Sequence, residues 1–557
     1  MQHNMNNYEQ EVKEFKLEEP EYYNFAFDVV DKWALDRTKL ALVWADTAGK
    51  TIRKYTFWDL SKMSNKFANV LISLGIKKGD KVFVMVPRIV EWYAVMLGLN
   101  KVGAVALPAP TIITAEDIEY RIKKAEATMA IASASNAQKV NMACEKECPS
   151  LKHRMVIDGD LEGWLSFENQ MDEASAKLSK DDVEPTKLTD PLIIYFTSGT
   201  TKYPKMVMHD QGYALAHTIT AKYWHDLKPT DLHWTISDTG WGKAVWGKLY
   251  GQWIMGSAVF MHNAEGAFDA KTTLRLLTTQ GITSFCAPPT VYRMLIQQDL
   301  NQYDFSDLKH CTSAGEPINP EVIKVWKNAT GNLIYDGYGQ TESVLLVANY
   351  PCMPIKYGSM GKPVPGFDIR IVNDDGEDMP IGEPGHIAVK IKPKHPLGLT
   401  KNYYKDEKAT DEAFRGDFYF TGDRAYKDND GYFWFYGRAD DVIKSSGYRI
   451  GPFEVESALQ EHKAVAESAV VASPDPIRGD IVKAFIILAK GYEPSEELIK
   501  DIQDFVKHKT APYKYPREIE FVKELPKTIS GKIKRAVLRR IEIERKTGKK
   551  GFNGTFI

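Results

Sequence analysis

Short apolar runs alternate with amphipathic segments through about residue 350, and this alternation limits the folds open to the chain. TFWDLSKMSNKFANVLISLGI (56–76) carries apolar residues at helical spacing, and Gly75 is suited to end a helix. KVFVMV (81–86) follows as a buried strand, EWYAVMLGLNKVG (91–103) as a helix and AVALPAP (104–110) as another strand. Strand, helix and strand joined by short connections predict a parallel α/β fold.

From 366 to 438 the pattern changes to short strands broken by Asp-Gly and Gly-Glu turns, which predicts a mainly β subdomain. A short α/β unit follows, with the helices FEVESALQEH and SEELIKDIQDFVKHK and the strands VAESAVVAS and VKAFIILAK. We therefore expect a large N-terminal domain, residues 1–439, made of α/β subdomains and a β-rich subdomain. A small α/β C-terminal domain, residues 440–557, completes the predicted organisation.

The length of 557 residues exceeds what one hydrophobic core usually serves, which agrees with at least two domains. A formal net charge of −2 gives no general attraction to nucleic acid or anionic membranes, and no apolar run approaches the ~20 residues of a bilayer span. The polar, acidic N-terminus resembles neither a secretory signal nor a transit peptide. Five cysteines without a CxxC pair predict free thiols, and together these features predict a cytoplasmic protein.

Basic residues are concentrated near the C-terminus. Residues 440–557 hold 22 Lys and Arg against 18 Asp and Glu, and residues 527–550 hold ten basic side chains and two acidic ones. Two interpretations are open: a solvated basic tail, or a small domain that meets polyanionic ligands.

The stretch IIYFTSGTTKYPKMVMHD (193–210) places a short apolar run directly before small and hydroxylated residues. Backbone N–H groups in such a loop can converge on phosphate oxygens, and Lys205 can add a positive charge. The loop is not a Walker sequence, which requires GxxxxGK[ST]. For TSGTT alone, a polar surface loop without a ligand is the alternative.

TSGTT followed by Pro204 and Lys205 resembles the phosphate loop of the adenylate-forming superfamily, which includes acyl-CoA synthetases, luciferases and peptide-synthetase adenylation domains. Further segments resemble motifs of this superfamily in the same order: YDGYGQTES (335–343), YFTGDRAYKDNDGYFWFYGRADDVIKSSGYRIGPFEVE (419–456) and LPKTISGKIKR (525–535). SSGYRIGPFEVE, SPDPIRGD and TAPYKYPR are similar to segments of medium-chain acyl-CoA synthetases. The resemblance implies an AMP-forming synthetase that uses ATP, a carboxylic acid and coenzyme A, with Mg²⁺.

The resemblance also implies a role for each matched residue. Glu342 would hold Mg²⁺, Tyr338 would stack on adenine, and Asp423 would accept the ribose hydroxyls. Lys532 would neutralise charge at the α-phosphate, as Lys205 would at the leaving phosphates. Lys532, Glu342 and Lys205 are thus the catalytic set, and the nucleotide-binding set is Thr197, Ser198, Gly199, Thr200, Thr201, Gly315, Glu316, Pro317, Asp336, Gly337, Tyr338, Gly339, Gln340, Thr341, Asp423 and Arg438. Taken singly, each has an ordinary alternative as a cap, a core residue or a solvated charge.

A second half-reaction needs a site for a thiol. The resemblance implies that the C-terminal domain is mobile and rotates about a hinge at Asp440, which would withdraw Lys532. Candidates for coenzyme A binding are Ser446, Gly447 and Tyr448 for the pantetheine, and Arg478, Lys507 and Arg517 for the phosphates. For the three cations, solvated surface charges are the alternative.

Two positions bear on how closely this chain follows its relatives. The family usually has glycine after TSGTT, whereas this chain has Lys202. If that position needs a positive φ, lysine costs about 1–2 kcal/mol, so the loop conformation is left open. Gly339 stands where acetate-specific relatives place a tryptophan, which implies a pocket deeper than acetate requires.

Bulky side chains that could fill part of the predicted acyl pocket occur in the segment SDTGWGKAVWGKLYGQW (237–253). If Trp241 begins a helix, Lys243 and Trp246 lie in its first turns and could narrow the channel at Gly339; alternatively, Trp246 belongs to the core. We expect a short- to medium-chain aliphatic acid, straight or branched, and an aromatic acid such as benzoate is left open.

Other functions compatible with the motifs are loading of a separate carrier protein, luciferase-type oxidation and a catalytically impaired nucleotide-binding protein. Intact Glu342, Asp423, Arg438 and Lys532 argue against impairment, and Lys202 argues for it. Acid-dependent release of pyrophosphate, followed by thioester formation with coenzyme A, would separate the synthetase from these alternatives.

Overall fold

The computed structural model describes residues 3–144, 148–197, 204–438, 440–445, 448–476, 478–528 and 532–547. Its helices are α1 (Tyr8–Glu14), α2 (Phe57–Ser73), α3 (Val90–Val102), α4 (Ala115–Ala125), α5 (Ala134–Ala143), α6 (Phe167–Glu173), α7 (Gln211–Ile219), α8 (Gly242–Lys248), α9 (Tyr250–Ile254), α10 (Ala270–Thr279), α11 (Pro289–Leu295), α12 (Pro320–Thr330), α13 (Glu407–Ala413), α14 (Pro452–Gln460), α15 (Glu496–Lys509) and α16 (Arg535–Thr547).

The strands are β1 (Leu40–Ala45), β2 (Ile52–Thr56), β3 (Lys81–Met85), β4 (Val105–Pro108), β5 (Met129–Ser133), β6 (His153–Ile157), β7 (Leu165–Ser166), β8 (Pro191–Thr197), β9 (Lys205–Asp210), β10 (Leu232–Thr235), β11 (Ala258–His262), β12 (Ser284–Cys286), β13 (His310–Ala314), β14 (Ile334–Gly339), β15 (Leu345–Ala348), β16 (Lys362–Pro363), β17 (Ile369–Val372), β18 (Gly385–Lys390), β19 (Phe414–Arg415), β20 (Phe418–Lys427), β21 (Phe433–Arg438), β22 (Ile443–Ser445), β23 (Tyr448–Ile450), β24 (Val465–Asp475), β25 (Gly479–Leu488) and β26 (Glu518–Phe521).

Two mainly parallel sheets form the larger part of the molecule. One has the strand order β7-β6-β5-β3-β4-β8-β9 and is parallel except at β9. The other has the order β16-β15-β14-β13-β12-β10-β11-β1-β2 and is parallel from β14 to β1. Buried parallel strands covered by helices confirm the predicted α/β class.

Helices α2 and α3 show how the local sequence sets these elements. Thr56 caps α2 and forms a capping box with Asp59, which satisfies donors at the first turn. The apolar face of α2 packs on α3, where Gly98 lies so close to Phe67 that an added Cβ would be 2.6 Å from the Phe67 ring. Gly103 ends α3 with φ of +72°, a conformation that favours glycine.

The predicted β-rich segment forms an antiparallel sheet in the order β17-β18-β20-β19, with β21 paired to β20. Asp423 on β20 lies directly opposite Arg438 on β21. The pairing therefore brings together two residues that the sequence places in separate parts of one motif.

The C-terminal unit is a sheet of order β23-β22-β25-β24, with β26 parallel to β25, and helix α16 packs on β24. The fully buried carboxylate of Glu542 on α16 accepts hydrogen bonds from Lys483 at 2.7 Å and Ser473 at 3.0 Å. Four basic residues of α16 are in ion pairs: Arg535 with Glu456, Arg539 with Asp441, Arg545 with Glu520 and Lys546 with Glu518. Within the described range 532–547, the basic segment is therefore a packed helix and not a solvated tail.

The cysteines differ from the expectation. Cys144 and Cys148 form a disulfide at the end of α5, so the prediction of free thiols is wrong for this pair. A spacing of four residues brings their Cα atoms to 5.3 Å, within the range that a disulfide can bridge. Across the described ranges, helices long and apolar enough to cross a membrane are absent.

Candidate active site

Residues from all four sequence motifs line one cavity of about 430 Å³. The cavity lies at the carboxyl ends of β13 and β14, beside the β20–β21 pair, and the C-terminal unit contributes Lys532 to its wall. The predicted residues that line it are Thr197, Lys205, Gly315, Glu316, Pro317, Asp336, Gly337, Tyr338, Gly339, Gln340, Thr341, Glu342, Asp423, Arg438 and Lys532. Ser198, Gly199, Thr200, Thr201 and Lys202 lie outside the described residues.

Asp423 is the centre of a hydrogen-bond network. Its Oδ2 accepts from the Tyr338 hydroxyl and from Gln340 Nε2, both at 2.7 Å, and its Oδ1 lies 4.0 Å from Arg438 Nε. Burial raises the pKa of the Asp423 carboxyl, and the charge of Arg438 opposes that shift. Because both donors approach Oδ2, Oδ1 faces the cation and the cavity, an arrangement suited to hydroxyl donors from a ligand.

Glu342 connects the motif after β14 to the hairpin that carries the phosphate loop. Its Oε1 accepts a hydrogen bond of 2.9 Å from Tyr403, and the Lys205 ammonium lies 4.7 Å from the centre of the Tyr403 ring. Thr197 and Lys205 are paired across β8 and β9, and both residues line the same cavity as Glu342. Burial raises the pKa of Glu342, and the hydrogen bond from Tyr403 opposes this.

The segment after β13 forms another wall. Gly315 has φ of +110°, which other residues adopt with strain, and it allows the chain to turn into Glu316 and Pro317. Glu316 accepts hydrogen bonds from Thr290 Oγ1 at 2.6 Å and from Arg293 at 3.1 Å. These contacts fix the position of the Glu316 carboxylate in the wall of the cavity.

Lys532 reaches the cavity from the C-terminal unit. Two hydrogen bonds join it to Thr528, from Thr528 N–H to the Lys532 carbonyl at 2.6 Å and from Lys532 N–H to Thr528 Oγ1 at 3.0 Å. Its side chain keeps accessible surface because it lines the open volume of the cavity. Burial lowers the pKa of the Lys532 ammonium, and the carboxylates of Glu316 and Asp423 oppose the shift.

A contact across the two parts of the chain helps to hold Lys532 in this position: Asn319 Nδ2 donates to Gln460 Oε1 at 2.9 Å. Within the C-terminal unit, Arg539 donates to the Asp440 carbonyl and, at 2.8 Å, to the Asp441 carboxylate. The predicted hinge residue thus lies at a point where α16 contacts the connection between the two parts.

Sequence analysis did not identify Tyr403, Arg293 or Thr421 as residues of the site. Tyr403 lies in TKNYY (400–404), which carries no motif, and Arg293 lies on α11 among core residues. Gln340 donates to the Thr421 carbonyl at 2.9 Å. Because the acceptor is a main-chain oxygen, the residue type at position 421 does not indicate this contact. Only the folded arrangement brings these groups to the cavity.

Of the predicted acyl residues, Gly339 lines the cavity, whereas Trp241, Lys243 and Trp246 are not among the lining residues. Trp241 is the N-cap of α8, so Lys243 and Trp246 lie in the first two turns of that helix, and 7% of the surface of Trp246 is exposed. A Cβ added at Gly339 would be 2.3 Å from Trp246 Cη2, so the indole fills the space that glycine leaves. The ammonium of Lys243 donates to the Ala314 carbonyl at 2.8 Å and so points to the segment before Gly315.

Four of the predicted coenzyme A residues are described by the structure, and these four are not among the residues that line the cavity: Tyr448, Arg478, Lys507 and Arg517. Tyr448 is 51% exposed and stacks on Tyr513, with ring centres 4.2 Å apart. Lys507 and Arg517 lie 4.8 Å and 5.0 Å from the Tyr515 ring, and Arg478 is exposed. Ser446 and Gly447 fall outside the described residues.

Comparison with known proteins identifies the family. Residues 30–404 match the family described as AMP-binding enzyme, and residues 454–532 match the AMP-binding enzyme C-terminal domain. The chain belongs to the AMP-binding enzyme family, which confirms the resemblance drawn from the four motifs.

Similar proteins are synthetases and ligases of coenzyme A thioesters. The chain is 46% identical over 551 residues to acyl-coenzyme A synthetase ACSM3, mitochondrial, of Homo sapiens, covering 97% of this chain and 93% of that one. It is 47% identical over 531 residues to acyl-coenzyme A synthetase ACSM4, mitochondrial, of Mus musculus, covering 93% and 90%. The structure of the anthranilate CoA ligase AuaEII in complex with anthranoyl-AMP matches with a TM-score of 0.85 and 31% identity, covering 94% and 98%.

These names contradict the predicted cytoplasmic location. Both acyl-coenzyme A synthetases are named as mitochondrial proteins. The prediction depended on the acidic N-terminus and on a cysteine set read as free thiols, and neither feature identifies a compartment.

Proposed function

We propose that this protein is an AMP-forming acyl-CoA synthetase that activates a short- to medium-chain carboxylic acid through an acyl-adenylate. The observation that carries the proposal is the convergence of Lys205, Glu342, Asp423 and Lys532 on one cavity. The similar synthetases named above, and the ligase bound to anthranoyl-AMP, support the same chemistry.

In the first half-reaction, a carboxylate oxygen attacks the α-phosphorus of ATP and pyrophosphate leaves. Asp423 and Arg438 hold the ribose, and Tyr338 and the Gly315–Pro317 wall hold the adenine. Lys205 neutralises the departing phosphates, while Lys532 stabilises the negative charge that gathers at the α-phosphate and the attacking carboxylate. Positioning and charge neutralisation supply most of the catalysis in reactions of this type.

Glu342 is the residue that we propose to hold Mg²⁺. One of its oxygens accepts from Tyr403, and the residue lines the cavity. Groups of three or more His, Cys, Asp or Glu placed to hold a metal are also absent from those ranges. A single carboxylate is sufficient for an ion that is bound mainly by substrate phosphates and water, and the ion would neutralise phosphate charge.

In the second half-reaction, the thiol of coenzyme A attacks the acyl carbonyl and AMP leaves with the oxygen that joined them. We propose that residues 440–557 rotate as a mobile domain about Asp440, because Lys532 otherwise occupies the approach to the carbonyl. We propose that the exposed Tyr448 meets the pantetheine after this rotation, with Arg478, Lys507 and Arg517 as the candidates for the phosphates of coenzyme A.

Trp246→Ala is expected to move the preferred acid length upward by a few carbons. Removing the indole opens space behind Gly339 for several methylenes, each of which adds up to ~0.8 kcal/mol on burial. The check is kcat/KM over straight acids of increasing length, with the dependence on MgATP unchanged.

Loss of a buried tryptophan also costs roughly 3–5 kcal/mol, so the melting temperature must be measured with the profile. Trp326→Ala is the matched control, because Trp326 is fully buried in a separate core cluster. It should lower stability without moving the preferred length. An unchanged profile in folded Trp246→Ala would place Trp246 in the core alone.

A panel of acids from C2 to C12, straight, branched and aromatic, tests the function itself. We expect pyrophosphate release only when an acid and MgATP are present together, and acyl-CoA and AMP once coenzyme A is added. Adenylation without thioester formation would favour an enzyme that loads a separate carrier protein. Nucleotide binding without pyrophosphate release would favour the impaired protein.

A further inference from the structure

A buried tyrosine on α7 supports the predicted wall of the acyl pocket. Tyr213 is fully buried, and its hydroxyl oxygen accepts a hydrogen bond of 3.0 Å from Trp246 Nε1. We infer that Tyr213 is a positioning residue that fixes the Trp246 ring against Gly339 and thereby sets the length of acid that the enzyme accepts. This inference rests on the proposed function.

The hydrogen bond selects one orientation of the indole. In that orientation Trp246 Cη2 lies where a side chain at residue 339 would begin. A ring turned about its Cβ–Cγ bond would leave a buried N–H without a partner, which is costly in a protein interior. The Tyr213 hydroxyl therefore keeps the ring edge on Gly339, and Gly339 lines the cavity.

His209 holds Tyr213 from the other side. The two rings are stacked, with centres 3.8 Å apart and planes 16° apart, and His209 Nε2 lies 2.7 Å from the Thr341 carbonyl. Since a carbonyl oxygen only accepts, Nε2 carries the proton. Burial lowers the pKa of His209 to about 4, so the ring stays neutral near pH 7.

These contacts form a column from the magnesium motif to the acyl wall: Thr341, His209, Tyr213, Trp246 and Gly339. Thr341 directly precedes Glu342, and Gly339 is three residues before it. One packed column thus supports the loop that binds the nucleotide and the indole that limits the acid. His217 adds edge contacts to Tyr213 and Trp246, with ring centres at 4.6 Å and 5.8 Å.

Packing alone would also hold a phenyl ring at residue 213. Only the hydroxyl accepts the hydrogen bond from Trp246, so removing it tests positioning apart from packing. Tyr213→Phe keeps the ring and its stack on His209 but removes the acceptor for Trp246 Nε1. We expect kcat/KM for an eight-carbon acid, relative to a four-carbon acid, to rise by about fivefold to tenfold, because the unpaired indole no longer favours one orientation. The KM for ATP should stay within about twofold, because Tyr213 does not line the nucleotide cavity.

A double-mutant cycle makes the test specific. Trp246→Phe removes the N–H donor, so adding Tyr213→Phe to it should leave the acid profile as it is in Trp246→Phe alone. Tyr350→Phe is the matched control, because this hydroxyl is buried in the same core cluster and has no recorded partner within the described residues. It should leave the profile of the wild-type protein unchanged.

The inference is overturned if folded Tyr213→Phe keeps the wild-type profile, or if Tyr213→Phe changes the profile equally in both backgrounds. If Tyr213→Phe does not fold, Trp246→Phe must show a shift toward longer acids, and its absence counts against the inference. Where turnover is too slow, the relative affinities for sulfamoyl analogues of C4 and C8 acyl-adenylates give the same ratio by calorimetry. Failure of the wild-type protein to release pyrophosphate with any acid would instead reject the proposed function.

Discussion

Lys532→Ala is expected to slow acyl-adenylate formation by roughly 10²–10³ and to leave thioester formation from supplied acyl-adenylate largely intact. Lys532 lines the cavity with Glu316 and Asp423, and its ammonium forms no ion pair with the residues that the structure describes. Its charge is needed where negative charge develops at the α-phosphate, and that charge is absent when the thiol attacks the carbonyl. The two half-reactions should therefore separate in this variant.

The measurement is single-turnover formation of pyrophosphate, followed by conversion of chemically prepared acyl-adenylate with coenzyme A. Lys534→Ala is a matched control, since Lys534 is an exposed lysine two residues away that does not line the cavity. It should leave both rates near those of the wild-type protein. Equal losses in the two half-reactions of Lys532→Ala would show that its role is wrongly assigned.

Asp440→Pro should have the opposite effect, keeping adenylation and slowing the thioester step by about tenfold or more. Proline fixes φ near −65° and so restricts rotation at the proposed hinge. The structure presents Lys532 to the cavity, and Asn319 donates to Gln460 across the two parts of the chain, so the restricted protein should stay in the arrangement suited to adenylation.

Accumulation of acyl-adenylate in a rapid-quench experiment with coenzyme A present is the expected sign of a blocked rotation. Asp440→Ala separates the backbone effect from loss of the carboxylate, and we expect it to turn over at a rate close to that of the wild-type protein. If Asp440→Pro does not accumulate acyl-adenylate, or if Asp440→Ala accumulates as much, Asp440 is not the hinge.

The sequence predicted the elements and motifs that depend on short segments. Helical spacing identified α2, and turn residues between short strands identified the β-rich sheet. The element predictions succeed because periodicity and turn residues act over a few neighbouring residues. The residues between Tyr335 and Glu342 line the cavity, and the roles that the resemblance implies for them stay predictions.

The remaining parts of the site depend on contacts between distant residues. Tyr403 donates to Glu342 across 61 positions, and Arg293 on α11 reaches Glu316 in the segment after β13. The sequence identified Gly339 and Trp246 as residues that affect the size of the acyl pocket. It could not show that the Trp246 ring occupies the space where a side chain at residue 339 would begin. Such contacts follow from tertiary packing, which local patterns do not encode.

The central claim is that the acid is activated by attack of its own oxygen on the α-phosphate. An acid labelled with ¹⁸O in its carboxylate, incubated with the protein, MgATP and coenzyme A, tests this directly by mass spectrometry of the products. The account predicts one ¹⁸O atom in AMP and none in pyrophosphate, because the bridging oxygen leaves with AMP when the thiol attacks the carbonyl. Label in inorganic phosphate with formation of ADP, or thioester formed with unlabelled AMP, would contradict it.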